Sequence, residues 1–315
     1  MRKYLCDTCH FIYDEQEGDS KNGVPRETLL EELAGSLCNR CQMKDLNRYS
    51  VLFSEYQKLE ATYYSMFSGK WHVHHFLSFL SEHKLNSPSI LDVGVGHGRS
   101  SFPLVSEGFL VTGLEKSPAM VTVLQRQKWT SFSHFDLVTS DIFDYQENKT
   151  FDVILLADTT FQELVYQKCL KHVLEKLANL LSPEGFIWIE TTNVAESQHI
   201  SRKKDIDLKR SIHLDSEIIK KKQHFTYNHT FELFNEGTSS ERQFVSRNLP
   251  SISVKDIDQN LPSSLKRVSC SLFPTEKKEH QSEQLDRWLD GGYPVATSNP
   301  LAKKEIIILE KIEEF

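Results

Sequence analysis

The stretch Ser89-Ile-Leu-Asp-Val-Gly-Val-Gly-His-Gly98, answered by Val111-Thr-Gly-Leu-Glu115, decides the fold. It reads as a buried strand, a glycine turn opening a helix, and a second strand ending in a carboxylate. Glycines at such a turn let the backbone approach a ligand closely, and the helix start offers unbonded N–H groups. Glu115 stands 21 residues after Gly94, where a carboxylate can accept both hydroxyls of a ribose. The pattern predicts a nucleoside-binding half-site.

Glycine spacing separates two kinds of nucleoside cofactor. Dinucleotide enzymes use G-x-G-x-x-G, with the third glycine packing helix to strand under a pyrophosphate. Here the glycines are Gly94, Gly96 and Gly98, and Arg99 follows them. Asp92 stands two residues before the first glycine, where a carboxylate would repel a pyrophosphate but suits the positive end of S-adenosylmethionine. This D-x-G-x-G-x-G resembles motif I of class I methyltransferases. The resemblance implies that Gly94, Gly96 and Gly98 admit the methionine portion. It further implies that Asp92 attends the cofactor's ammonium and Glu115 its ribose, with Lys116 beside them.

Later motifs arrive in the order that fold requires. Phe135-Asp-Leu-Val-Thr139 reads as a third strand, followed by Ser140-Asp-Ile-Phe143. The resemblance places Asp141 on the adenine amino group and Ile142 beside the ring. Phe151-Asp-Val-Ile-Leu-Leu156 is an apolar run of the kind parallel sheets bury on both faces. It leads into Ala157-Asp-Thr-Thr-Phe-Gln-Glu163, at the carboxyl edge where open α/β sheets bind ligands. Glu163 to Leu181 reads as one amphipathic helix, broken by Ser182-Pro-Glu-Gly185 before strand Phe186-Ile-Trp-Ile-Glu-Thr191. Alternating strand and helix predict a Rossmann-like, doubly wound α/β sheet of seven strands. Leu265–Leu272 and Glu305–Glu310 supply its closing antiparallel hairpin. The run from Gly98 to Met120, with Asp158-Thr-Thr-Phe-Gln-Glu-Leu164, is similar to methyltransferases acting on small molecules. There the segment at Asp158 faces the methionine end of the cofactor and the substrate. No Asn/Asp-Pro-Pro-Tyr stands at strand four, which argues against a nucleobase substrate.

The first fifty residues form a different module. Cys6/Cys9 and Cys38/Cys41 are two C-x-x-C pairs separated by 28 residues, a spacing that makes a tetrahedral four-thiolate metal site. No secretory segment is read and cytosolic thiols stay reduced, so disulfides fit poorly. So short a module buries little core, and the metal is expected to make it fold. Met1-Arg-Lys-Tyr-Leu-Cys-Asp-Thr-Cys-His-Phe-Ile-Tyr-Asp14, Glu17-Gly-Asp19 and Asn22-Gly-Val24 resemble rubredoxin, a carrier of single electrons on one iron. His10 and Gln42 stand where that family has glycine, each costing about 1 kcal/mol or more if the knuckle stays left-handed. Ser36 and Asn39 replace its tryptophan and proline. Iron and zinc both fit the four cysteines. Cys169 and Cys270 are expected to be small core residues.

Residues 50–84 read as helical, with Leu52, Tyr56, Leu59, Tyr63 and Met66 at helical spacing. In small-molecule methyltransferases such leading helices lid the site. Tyr56, Tyr63, Tyr64, His72, His74 and His75 are therefore candidates to touch substrate, although a tyrosine stripe also serves core packing. His224-Phe-Thr-Tyr-Asn-His-Thr-Phe-Glu-Leu-Phe234 alternates as a half-buried strand, and Ser253-x-x-Asp256 is a capping box. Residues 275–300, with Trp288 and Gly291-Gly-Tyr293, read as a loop insertion near the closing hairpin.

The expected organisation is a metal-binding module over 1–48, a helical lead-in or lid over 49–88, and a methyltransferase domain over 89–315 with a substrate cap about 195–262. Asp158, His72 and Tyr63 are the candidates for the catalytic centre. A formal net charge of −7 argues against a general nucleic-acid binder. No apolar run approaches the roughly 20 residues that cross a bilayer, so a soluble cytoplasmic protein is expected. The whole implies methyl transfer from S-adenosylmethionine to an N, O or S nucleophile of a small molecule. The attached tetracysteine site, holding one iron or zinc, would be structural, or would serve electron transfer with a redox partner protein. A redox carrier or sensor that only binds S-adenosylmethionine is the alternative.

Overall fold

The structure is a computed structural model that describes residues 3–6, 12–20, 23–33, 49–53, 56–67, 71, 73–146, 149–272 and 302–312. The chain opens with β1 (Lys3–Cys6) and β2 (Ile12–Asp14), paired antiparallel with Tyr4 opposite Tyr13. Tyr4, Tyr13 and Leu30 form a small core of their own. The Tyr13 hydroxyl donates to the Thr28 carbonyl at 2.7 Å, and Glu15 accepts from the Leu30 N–H at 3.0 Å. Cys6 ends β1; Cys9, Cys38 and Cys41 lie outside the described residues.

A strand, β3 (Tyr49–Phe53), then stands where the sequence suggested the start of a helix. Tyr-Ser-Val-Leu-Phe suits either state alone, and partners on both sides decide it: β1 pairs antiparallel along one edge and a late strand, β12 (Thr238–Pro250), parallel along the other. Helices α1 (Lys58–Phe67) and α2 (Val73–Glu82) complete the lead-in. His72 lies outside the described residues.

The alternation begins with β4 (Ser89–Val93), α3 (Ser101–Ser106), β5 (Leu110–Glu115), α4 (Pro118–Gln125) and β6 (Phe135–Thr139). It continues through β7 (Phe151–Leu156), α5 (Thr160–Gln167), α6 (Leu170–Leu180) and β8 (Leu181–Val194). The single helix expected over 163–181 is thus two, broken at Lys168 and Cys169, whose backbones are extended. The closing hairpin, β13 (Leu265–Leu272) and β14 (Ala302–Lys311), gives the order β13-β14-β8-β7-β4-β5-β6. Residues 273–301, including Trp288, lie outside the described residues.

Both faces of this sheet are covered, and the twofold side-chain period of a strand shows how. Leu91, Ile154, Leu156, Ile187 and Ile189 join α5, α6 and α7 (Val254–Asn260) in one core. Their neighbours Ile90, Val153, Leu155, Phe186 and Trp188 join α2, α3 and α4 in the other. Ser253 and Asp256 cap α7 reciprocally, as a capping box does.

Between β8 and α7 the chain builds an antiparallel cap from β9 (Gln198–Asp205), β10 (Arg210–Lys220), β11 (His224–Asn235) and β12 (Thr238–Pro250). Because β12 also pairs with β3, the cap and the N-terminal module share one sheet of order β2-β1-β3-β12-β11-β10-β9. Its inner face packs Ile212, Leu214, Phe231 and Val245 against Leu59, Tyr63 and Tyr64 of α1. Cys169 and Cys270 are exposed rather than core. The first sits at the α5–α6 break and the second on β13, the edge strand of its sheet. Among the described residues no helix is long and apolar enough to cross a membrane.

Candidate cofactor and acceptor site

A cleft of about 950 Å³ opens at the carboxyl edge of β4, β5 and β7, between that sheet and the cap. Asp92, the fourth residue of β4, is fully buried, one residue before Val93 of the cleft lining. The hydroxyls of Ser100 and Ser101 both donate to its Oδ2 at 2.6 Å, while Oδ1 has no hydrogen-bond partner among the described residues. Burial pushes the Asp92 carboxyl up to about 6 despite those two donors, and the nearby Glu190 and Glu115 add to the rise. An orphaned buried carboxylate oxygen is costly unless a donor arrives. A ligand ammonium would be such a donor.

The turn after β4 lines the cleft with backbone. Gly94 has φ +69°, and a methyl built on it would meet Thr160 Cγ2 at 2.9 Å, so only glycine fits where α5 begins. Glu115, at the end of β5, is 7% exposed and splits its oxygens between two N–H groups. Oε2 accepts from Gly96 at 2.9 Å and Oε1 from Ser117 at 2.7 Å. The carboxylate is thereby held rigidly in the cleft wall. Beyond β6, Asp141 accepts from the Phe143 N–H at 3.0 Å and pairs with Lys116 at 3.0 Å. Ile142 is buried and lines the same pocket.

Asp158 follows β7 with a left-handed backbone, φ +55°. Its side chain is ion-paired to Arg99 and, at 2.7 Å, to Lys304 of β14. Its N–H donates to buried Glu190 at 2.9 Å, and Glu190 also receives the Trp71 indole N–H at 2.8 Å. Two cations therefore claim the Asp158 carboxylate, and it serves as an anchor for Arg99 at the cleft wall.

The roof comes from the shared sheet and the lead-in. Tyr56, Tyr64, Ser246, Arg247 and Asn248 line it, and Asp14 and Gln16 bring the edge of the N-terminal module into the same cleft. Arg247 makes a buried bidentate pair with Glu60, at 2.6 and 2.8 Å, and its guanidinium lies 3.9 Å over the Tyr56 ring. Glu163, on the first turn of α5, accepts from the Tyr56 hydroxyl at 3.1 Å.

Of the candidate cofactor residues, Gly94, Gly96, Glu115, Lys116, Asp141, Ile142 and Asp158 line this one cleft, with Asp92 buried behind its lining residue Ser100. Gly98 follows in the same turn with φ +91°. Tyr63 does not reach the cleft; it packs among Tyr64, Phe67 and Phe231 in the core under the cap. His74 is exposed on α2. Sequence reading missed Arg99, Glu163, Glu190, Arg247 and Lys304. Arg99, Arg247 and Lys304 had no local signal. Glu163 and Glu190 each carried one, a carboxylate set among apolar residues at the end of a strand or start of a helix.

The chain is similar to known methyltransferases and to rubredoxin. Residues 90–185 match the methyltransferase-domain family model, and residues 3–46 match rubredoxin. A cypemycin N-terminal methyltransferase from a Streptomyces species is 28% identical over 123 residues, 39% of this chain and 49% of that protein. The chain spans about half the length of the curated relatives it matches. Among solved structures, an S-adenosylmethionine-bound amino pentose methyltransferase from Micromonospora echinaspora superposes with a TM-score of 0.57 at 14% identity. That match covers 82% of this chain and 98% of the other. A sugar N-methyltransferase from Streptoalloteichus gives 0.54 at 15% identity, over 78% and 94% of the two chains. Residues 3–46 are thus similar to rubredoxin and residues 90–185 to methyltransferase domains, and the solved structures share the fold of the second.

Proposed function

We propose that this protein transfers the methyl group of S-adenosylmethionine to a small-molecule nucleophile held between the Rossmann-like sheet and the cap. One observation carries the reading: Glu115, at the end of β5, and Asp141, just after β6, line a single cleft, and the buried carboxylate Asp92 of β4 lies behind Ser100 of the same lining. Their order along adjacent strands β4, β5 and β6 suits an ammonium, a ribose diol and an adenine amino group in turn. The orphaned Oδ1 of Asp92 and the glycine-only turn at Gly94 both fit that ligand. The sulfonium makes the methyl electrophilic when the cofactor is bound. The residues of this chain need only orient a nucleophile in line with it and exclude water.

The similar proteins include an N-terminal methyltransferase, an amino pentose methyltransferase and a ubiquinone biosynthesis O-methyltransferase, so likeness alone does not select the nucleophile. Glu115→Ala removes the proposed ribose acceptor and its hydrogen bonds from the Gly96 and Ser117 N–H groups. Affinity for S-adenosylmethionine, measured by calorimetry, is expected to fall about tenfold or more. Unchanged affinity would sink the assignment. Formation of S-adenosylhomocysteine from a metabolite extract separates turnover from mere binding of the cofactor.

We assign the tetracysteine set Cys6, Cys9, Cys38 and Cys41 to one iron or zinc with a structural role as the primary one. The supporting observation is the β1-β3-β12 connection, which ties the strand ending in Cys6 to the strand carrying Arg247. Native mass spectrometry is expected to find one metal ion per chain, and a metal-free folded protein would overturn this. Visible absorption before and after dithionite then names the metal. A red protein that bleaches would add an electron-transfer role and a redox partner; a colourless one leaves zinc and structure alone.

A further inference from the structure

We propose that Glu163 faces the transferred methyl and takes the proton of an amine acceptor, an assignment that rests on the methyl-transfer reading above. Geometry comes first. Glu163 sits on the first turn of α5, directly after the strand-end segment at Asp158, and lines the cleft where α5 packs against cap strand β12. Its Oε1 accepts from the Tyr56 hydroxyl at 3.1 Å and the Thr159 hydroxyl at 3.4 Å, which holds the carboxyl at the wall. Tyr56 is in turn pinned by the Arg247 guanidinium over its ring, so the carboxyl and its donor belong to one braced roof.

Charge comes second. Five of the residues lining the cleft are carboxylates and three are cations, so it favours a positively charged guest. Two of those cations are engaged by specific carboxylates, Arg99 by Asp158 and Lys116 by Asp141. The third, Arg247, is engaged by Glu60 behind the wall.

Proton affinity comes third. Burial pushes the Glu163 carboxyl up to about 7, with Glu115 of β5 and Glu60 of α1 reinforcing the rise. Arg247 of β12 and Lys116 oppose it. From β11, burial raises the Tyr227 phenol well above its ordinary value and the Glu163 charge adds to the rise, so it stays neutral. A carboxylate of that basicity is within reach of an ammonium, whose ordinary pKa is about 8–10. An aliphatic hydroxyl, about as weak an acid as water, lies roughly nine powers of ten away. In the step this implies, the ammonium of the acceptor gives one proton to Glu163. The exposed nitrogen lone pair then forms the N–C bond as the C–S bond breaks. The C–S electron pair stays on sulfur, leaving a neutral thioether, and the methylated nitrogen carries the positive charge.

The test needs no acceptor. Sinefungin replaces the methyl-bearing sulfonium of the cofactor with an amine-bearing carbon, so its extra ammonium reports what faces the methyl. S-adenosylhomocysteine lacks that cation. Wild-type protein near pH 8 is expected to prefer sinefungin about tenfold or more, as a partly buried charge pair does. Glu163→Gln should erase about tenfold of that preference while leaving S-adenosylhomocysteine affinity essentially as it was. In wild type alone, the preference should fall about tenfold between about pH 8 and about pH 6 as Glu163 gains its proton. A preference untouched by Glu163→Gln, or flat across that range, overturns the proposal. If S-adenosylhomocysteine does not bind wild type at all, the methyl-transfer reading fails instead.

Discussion

Arg247→Met is expected to destabilise the fold by about 3–5 kcal/mol, because it leaves Glu60 as an uncompensated charge in a dry interior. Glu60 is 0% exposed and Arg247 6%, and both terminal guanidinium nitrogens donate to the carboxylate, at 2.6 and 2.8 Å. Coulomb attraction in that setting offsets two desolvation penalties, so removing one partner exposes the other penalty in full. Replacing both is a different matter. Glu60→Leu combined with Arg247→Met should recover most of the loss, since similar volume can pack against Leu59, Tyr63 and Phe231 without any charge to bury. Thermal melts of the four proteins of the cycle decide it. The single variant should melt roughly 10 °C lower than wild type, and a single variant matching wild type would refute the account.

The same pair links structure to the proposed chemistry. Glu60 belongs to α1 and Arg247 to β12, so the ion pair fastens the lead-in helix to the cap strand that roofs the cleft. A second tie, the Leu59 N–H donating to Gln243 Oε1 at 3.0 Å, runs beside it. Tyr56 stacks on the guanidinium and reaches Glu163, so loosening the pair also loosens the residue proposed to meet the acceptor.

How much of this was legible follows from the range of each interaction. The glycine turn, Glu115 and Asp141 are read from short stretches because a strand end, a turn and the next strand end are local events. The sheet order brings them together without further information. Apolar runs such as Val153 to Leu156 announced a strand covered on both faces, and alternate residues do enter opposite cores. The cap was only partly readable. β11 showed its alternation, whereas β9 is polar but for Ile200 and is a strand because β10 pairs with it. β3 was misread because its five residues carry no period that separates helix from strand, and its two neighbours lie far away in sequence. Glu60 did carry a signal that went unused. It lies on the helical stripe of Tyr56, Tyr63, Tyr64 and Phe67, and a charge on an apolar stripe implies a buried partner. That partner is 187 residues away, which no local pattern names.

Asp92→Asn is expected to separate stability from function in opposite directions. The folded carboxyl titrates at about 6 against an ordinary 3.8, so the fold binds this proton more tightly than the unfolded chain does. Its stabilising contribution is complete below the unfolded value and is lost as pH rises through about 6. At neutral pH, keeping Asp92 ionised costs on the order of 1–3 kcal/mol. Asparagine keeps an oxygen for Ser100 and Ser101 to donate to, and it carries no charge into the interior. Without cofactor, the variant should therefore melt higher than wild type above pH 6 and converge with it toward pH 4. Affinity for S-adenosylmethionine should meanwhile fall about a hundredfold, because a buried ammonium would lose its counter-charge. Wild type carries a further signature. Cofactor binding favours the ionised form of Asp92, so near pH 6 it should release protons, seen as a calorimetric heat that changes with the ionisation enthalpy of the buffer; Asp92→Asn should remove that dependence. Tight cofactor binding by the variant would mean that the orphaned Oδ1 is no part of the ligand site, and its cost to the apo fold would then be left without a purpose.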